Sequence, residues 1–235
     1  MLYLRIMELL HVLNRGVDKR KIFLDNNDRF RFVHNLFEFN DRNRVEARNV
    51  FNKYVKSNLS DLRGQKGLKD YRPRRLLVDI HAFCLMPNHY HLLLSTREEG
   101  GISLFMNKLN AGFAKYFNYK YKRTGTLFES RYKSVAVTED AHLLHLPYYI
   151  HLNPLDLVTP TWRERRLKNP REAVKFLENY RWSSYLDYIG KKNFPSVINK
   201  TFLNKILGDV DNYKREILEW INKMKYSSVG NISLE

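Results

Sequence analysis

One cysteine, Cys84, stands among 235 residues, so no internal disulfide can form and a reducing compartment is the simpler setting. It lies in the apolar run VDIHAFCLM, where a packed, inert thiol is expected rather than a nucleophile. No stretch approaches the roughly 20 consecutive apolar residues of a membrane span. The opening MLYLRIMELL is short, is interrupted by Arg5 and Glu8, and has no small-residue cleavage site, so it does not read as a secretory signal. A soluble, cytoplasmic protein is expected. Acidic residues are scarce too: 25 Asp and Glu against 41 Lys and Arg leave a net charge of +16. With 43% hydrophobic residues the chain is too apolar for a disordered basic tail, so a folded protein with a polyanionic partner is implied. Nucleic acid is the first candidate, because phosphates attract Lys and Arg whatever the base sequence. A membrane surface would ask for an amphipathic basic helix.

The chain alternates between the two backbone periods. LLHVLNR, residues 9 to 15, predicts a strand closed by Gly16; Asp25 or Asn26 can cap a helix carrying Phe30, Val33, Leu36 and Phe37. Residues 41 to 75 lose apolar periodicity and hold eleven Lys and Arg against four Asp and Glu, which predicts a solvated basic insertion. LLVDIHAFCLM (76 to 86) and HYHLLLS (89 to 95) predict an antiparallel hairpin around Pro87 and Asn88. Phe105, Leu109, Phe113 and Tyr116 mark a second helix, RYKSVAV (131 to 137) a last strand, and Thr138 is the expected cap of a helix running through Leu152. Strand, helix, strand, strand, helix, strand is the ferredoxin-like pattern, an α+β antiparallel sheet with helices on one face. We expect residues 1 to 158 to form this domain and residues 159 to 235 a helical C-terminal extension, with short helices near 170 to 179, 182 to 189, 200 to 207 and 212 to 224.

Two motifs carry candidate chemistry. His89 and His91 are two apart on a strand, so both imidazoles leave one face, where they can hold a metal or sit as two hydrogen-bonded surface histidines. In PYYIHLNP, Tyr149 and Asn153 are one helical turn apart and share a face, whereas Tyr148 lies about 140° round from Asn153. His142 and His145 fall on the Tyr149 stripe. On this helix alone, Tyr149 as a half-buried packing residue and Asn153 as a C-cap before Pro154 is the better reading. Pro147, inside the same helix, is expected to bend it.

HVLNRG, LMPNHYHLLL, NKLNAGFAKYFNYKYKRTGTLFESRYKS, YYIHLNP and, later, WSSY resemble in order the single-tyrosine HUH transposases, most closely their REP-associated group. The resemblance spans roughly residues 9 to 190. It implies a metal-dependent transposase that cleaves and rejoins single-stranded DNA beside hairpins through a 5′-phosphotyrosine, with a divalent ion, Mg²⁺ or Mn²⁺, and no external energy source. Carried over by position, it makes Tyr149 the catalytic nucleophile and His89, His91 and Asn153 the metal ligands. The chain departs from the family in its longer basic stretch and longer C-terminal region. The resemblance is compatible with a monomer or a homodimer.

Residues 115 to 133 interleave cations with aromatics. Lys115, Lys120, Lys122, Arg123, Arg131 and Lys133, with Arg15 near the first strand, are the expected DNA-binding residues, since basic chains track phosphates and aromatic faces stack on unpaired bases. Two alternatives stay open. A non-catalytic, domesticated single-stranded nucleic-acid-binding protein would share fold and charge, although no strand here has the aromatic pattern of RNA-recognition domains. A structural zinc site could recruit His142 or His145 to the His89 and His91 pair, although no cysteine accompanies them.

Overall fold

The structure, a computed structural model, describes residues 8–43, 74–164, 167 and 169–223. The start of the chain and most of the basic insertion expected at 41 to 75 lie outside the described residues.

Among these, four strands make one antiparallel sheet. β1 (Leu9–Arg15) runs between β3 (His89–Thr96) and β4 (Lys133–Ala136), and β2 (Val78–Met86) pairs with the far side of β3, giving the order β2-β3-β1-β4. With α1 (Asn26–Glu38) after β1 and α2 (Gly101–Lys120) after β3, this is the expected ferredoxin-like α+β arrangement. Asp25 caps α1 and shares a reciprocal capping box with Asp28, satisfying two amides that the first turn leaves without partners.

Strand alternation decides what each face of the sheet holds. Val12, Tyr90, Leu92 and Leu94 point to one face, where Phe32, Val33 and Leu36 of α1 and Phe105, Leu109 and Phe113 of α2 bury them. Leu9 and Leu93 point to the other. In β2 the register shifts between Ile80 and Ala82, and the phase changes with it: Val78 and Ile80 belong to the first face, but Ala82, Cys84 and Met86 to the second.

That second face is covered as well. α3 (Asp140–Leu152) lies on it with the extension's α4 (Pro170–Asn179), α5 (Tyr185–Tyr188), α6 (Thr201–Leu207) and α7 (Val210–Lys223), all in one hydrophobic cluster with the sheet. Tyr213, Ile217 and Trp220 of α7 are withdrawn from water there, each burial contributing about 1.5–3 kcal/mol. Helices on one face therefore describe α1 and α2 only.

The cap of α3 differs from the expectation. Val137 still donates to the Leu9 carbonyl at 2.9 Å, so the backbone leaves the sheet too late for Thr138 to cap. Glu139 takes the N-cap position without a side-chain bond, and Asp140 supplies the first-turn carboxylate.

WSSY closes the outer edge of β2. Leu85 N–H donates to the Trp182 carbonyl at 2.9 Å, and Ser184 N–H to the Phe83 carbonyl at 3.0 Å, so an edge that would offer unpaired ladder groups is paired by the extension.

Candidate active site

The hairpin turn orients the first histidine. Asn88 Nδ2 donates to the Lys19 carbonyl at 3.2 Å, which turns Asn88 Oδ1 toward His89 Nδ1, 2.7 Å away. An amide oxygen only accepts, so His89 carries its proton on Nδ1, and Nε2 is the nitrogen suited to a cation. The loop that receives Asn88 is built tightly: Gly16 N–H donates to the Asn88 carbonyl at 2.8 Å, and a Cβ at Gly16 would run into the Arg20 carbonyl. This accounts for the glycine of HVLNRG. Asn14 of that motif ties β1 to the chain entering β4, donating to the Arg131 carbonyl at 2.7 Å.

The second histidine is held by a residue not singled out from the sequence. His11, on the same face of β1, stacks on His91 with centroids 5.2 Å apart, and its Nε2 lies 3.0 Å from His91 Nδ1. His91 Nδ1 is thus engaged, and Nε2 is again the nitrogen suited to a ligand role. The rings of His89 and His91 meet edge to face at 5.0 Å.

α3 separates its two tyrosines. Tyr149, 2% exposed, turns its ring edge-on to His91 at 5.8 Å and His11 at 6.0 Å. Tyr148 leaves the opposite side and stacks on Tyr213 at 4.9 Å and Trp220 at 5.4 Å. Burial, with a smaller push from the Glu216 carboxylate, raises the Tyr148 phenol well above its ordinary value, so it stays protonated. Asn153 N–H donates to the Tyr149 carbonyl, one turn back. It has right-handed helical backbone and continues into a 3-10 turn (Asn153–Leu157), not the left-handed cap geometry that ends many helices.

Asn153 is fully buried, and its amide oxygen accepts from Arg163 Nη2 at 2.8 Å. Arg163 comes from the next 3-10 turn (Pro160–Glu164) and is held by Asp156, whose Oδ1 accepts from Arg163 Nη1 at 2.7 Å and from Trp162 Nε1 at 2.5 Å. The guanidinium carbon lies 5.7 Å from the Tyr149 ring centroid. Nothing in the local pattern WRERR points to this arginine.

His142 and His145 do not join the pair. His142 faces Glu139 at 3.9 Å, and His145 packs on Trp220 at 4.8 Å, its pKa lowered by burial and by His142. Among the described residues no group of three or more His, Cys, Asp or Glu is placed to hold one metal.

The basic candidates divide. Arg15 is the register partner of His89 and leaves β1 on the His11 face. Glu129 N–H donates to the Arg15 carbonyl, and Gly16 bridges Phe128, so the loop after α2 runs past this end of β1. Lys115, Lys122, Arg131 and Lys133 are exposed, Lys133 beside Glu129 at 3.6 Å; Arg123 is half-buried over Phe117. Lys120 differs from these neighbours. Its ammonium sits between Asp28 at 2.6 Å and Asp25 at 2.8 Å, and these hydrogen bonds raise its pKa against the cost of burial. Its charge is compensated inside the protein because Asp28 is wholly buried.

Residues 39–153, a little under half the chain, match the family model of IS200-like transposases. That segment is similar to the IS200-like transposases. The transposase match includes His89, His91, Tyr149 and Asn153; β1 with His11, and Arg163, fall outside it. The fold is also similar to a solved structure described as the REP-associated tyrosine transposase bound to a REP hairpin: 14% identity, TM-score 0.47, covering 86% of this chain and 87% of that one. No curated protein matches the chain. Among the described residues no helix is long and apolar enough to cross a membrane.

Proposed function

We propose that the chain is a transposase that cleaves and rejoins single-stranded DNA beside hairpins, with Tyr149 as nucleophile and His89, His91 and Asn153 as ligands of a divalent ion, Mg²⁺ or Mn²⁺. The observation that carries this reading is the edge-on approach of Tyr149 to His91, at 5.8 Å, on the sheet face that also bears His89.

The donor set fits such an ion. Two imidazoles sharing one metal at about 2.1 Å per nitrogen have centroids about 5 Å apart; those of His89 and His91 are 5.0 Å apart, and each Nδ1 is engaged away from the ligand nitrogen. Fixing the ring and tautomer from behind is how ligand histidines are ordinarily oriented. The chemistry supplied by the bound ion is polarisation of a non-bridging phosphate oxygen. The remaining work belongs to side chains. Tyr149 Oη forms the bond to phosphorus as the 3′ oxygen leaves, so the phosphodiester is kept as a 5′-phosphotyrosine and the released 3′-hydroxyl can reverse the step. His11 and Asn88 hold the imidazoles. α7 holds α3 through Tyr148, which fixes the direction of its sequence neighbour. Arg15 leaves β1 on this face, and the exposed cations of residues 115 to 133 suit a phosphate backbone.

The test is incubation with a pool of hairpin-flanked single strands and Mn²⁺. A protein–DNA adduct resistant to denaturation is expected with the wild type and with Tyr148→Phe, and none with Tyr149→Phe. Adduct persisting in Tyr149→Phe overturns the assignment.

A further inference from the structure

We infer that Arg163 is a further catalytic residue of this site: its guanidinium binds the scissile phosphate beside Tyr149, aimed there by Asn153 and Asp156. The inference rests on the reading of Tyr149 as nucleophile and adds a residue from outside the family match.

Three observations carry it. The guanidinium is tied to the nucleophile's own helical segment, through Asn153 at 2.8 Å and Asp156 at 2.7 Å, and stands 5.7 Å from the Tyr149 ring. Tyr149 is 2% exposed and Asn153 fully buried, whereas the Arg163 side chain keeps 27% of its surface in solvent, so a phosphate approaching the phenol from this side meets the arginine first. The third is charge. His89, His91 and Asn153 are neutral donors, while phosphoryl transfer spreads negative charge over the non-bridging oxygens as the phenol attacks. A planar guanidinium matches paired phosphate oxygens in a way an ammonium does not. Asp156 keeps the cation in place when no phosphate is present, at a side chain 22% exposed, where holding it does not require deep burial of a second charge.

A positioning role, in which Arg163 only orients Asn153 toward a metal, predicts something else, and the two separate in one set of measurements. Single-turnover adduct formation is followed against Mn²⁺ concentration for wild type, Arg163→Gln and Arg163→Lys. Mn²⁺ binding to the DNA-free proteins is titrated by electron paramagnetic resonance, and hairpin DNA affinity is measured without metal. For Arg163→Gln we expect a maximal rate lower by about 100-fold or more. Half-saturating Mn²⁺, DNA-free Mn²⁺ affinity and hairpin affinity should stay within about threefold, and Arg163→Lys should recover part of the rate because it keeps the charge but not the fork. A maximal rate within about threefold of wild type overturns the inference. So does a loss that excess Mn²⁺ restores, or one matched by weaker DNA-free Mn²⁺ binding. If Arg163→Gln does not fold, the lysine variant is judged by the same criteria. Wild-type adduct that disappears in Tyr149→Phe leaves the parent reading standing whatever Arg163 does; no wild-type adduct sinks both.

Discussion

Tyr148 and Tyr149, adjacent in sequence, lie on opposite sides of α3: the first stacks on Tyr213 at 4.9 Å, and the second meets His91 at 5.8 Å. One anchors the helix and the other is presented to the histidine pair. Tyr148→Ala, which empties a buried aromatic site against Tyr213 and Trp220, should cost about 3–5 kcal/mol in urea unfolding. Tyr148→Phe keeps both ring contacts and should cost under about 1.5 kcal/mol. Equal losses for the two variants would contradict the stacking account.

His151 makes stability fall in acid. Its Nε2 lies 2.7 Å from Ser184 Oγ and its Nδ1 2.6 Å from Tyr213 Oη, and burial pushes its pKa down to about 3. His34 is pushed to about 4, by burial and then by Arg31. In the unfolded chain both titrate near 6.5, so below that pH the unfolded state binds more protons and is favoured. Stability should be flat above pH ~7 and fall on acidification from ~6.5 toward 4, by up to about 1.4 kcal/mol per pH unit for each histidine. Urea melts at several pH values check this. His151→Gln should be less stable at pH 7 and show a shallower acid slope.

Ser184 joins three elements through one hydroxyl. Its Oγ accepts from Phe83 N–H at 2.9 Å, donates to the Phe83 carbonyl at 3.3 Å and meets His151. Ser184→Ala leaves a buried amide of β2 and His151 Nε2 without that partner, so about 1–3 kcal/mol should be lost in a denaturant melt. A change under about 0.5 kcal/mol would mean the hydroxyl does not join β2 to α3.

Lys120 and Lys122 should behave differently although they are two residues apart. Lys120→Ala removes a cation from buried Asp28, leaving the Tyr116 and Tyr121 hydroxyls and Leu24 N–H on that carboxylate, and should cost about 1–3 kcal/mol of stability. Its effect on the salt dependence of single-stranded DNA binding should be small. Lys122→Ala and Arg131→Ala should leave stability within about 0.5 kcal/mol and each lower the slope of log K against log salt by about 0.7.

Asn88 should act on the metal without touching it. Asn88→Ala removes the acceptor that fixes His89 Nδ1, and Mn²⁺ affinity measured by calorimetry should drop by roughly 10-fold or more. Because the proposed ligands are all neutral, bound single-stranded DNA should tighten Mn²⁺ in the wild type. Equal affinity with and without DNA would contradict that part of the account.

What the sequence made legible was whatever one element's own period could carry. β1 was expected at 9 to 15 and is Leu9–Arg15; α4 was expected at 170 to 179 and is Pro170–Asn179. Tyr149 and Asn153 share a helix, so their common face followed from spacing alone. His11 and His91 are 80 positions apart, and only the β1–β3 register makes them neighbours. Arg163 reaches Asn153 through the geometry of two successive 3-10 turns, which no periodicity encodes. Thr138 was misread as a cap because its residue type is right and only the last sheet bond, at Val137, excludes it. Lys120 looked like its exposed neighbours, since nothing near it in sequence announces a buried aspartate about 90 residues earlier.

The most direct test is to map the covalent link. Wild-type protein is reacted with hairpin-flanked single-stranded DNA and Mn²⁺, digested with nuclease and protease, and sequenced by tandem mass spectrometry. The account predicts a nucleotide ester on the side chain of Tyr149, reduced by at least about 100-fold in His91→Ala. A nucleotide on Tyr148 or another residue, or an undiminished yield in His91→Ala, would contradict it.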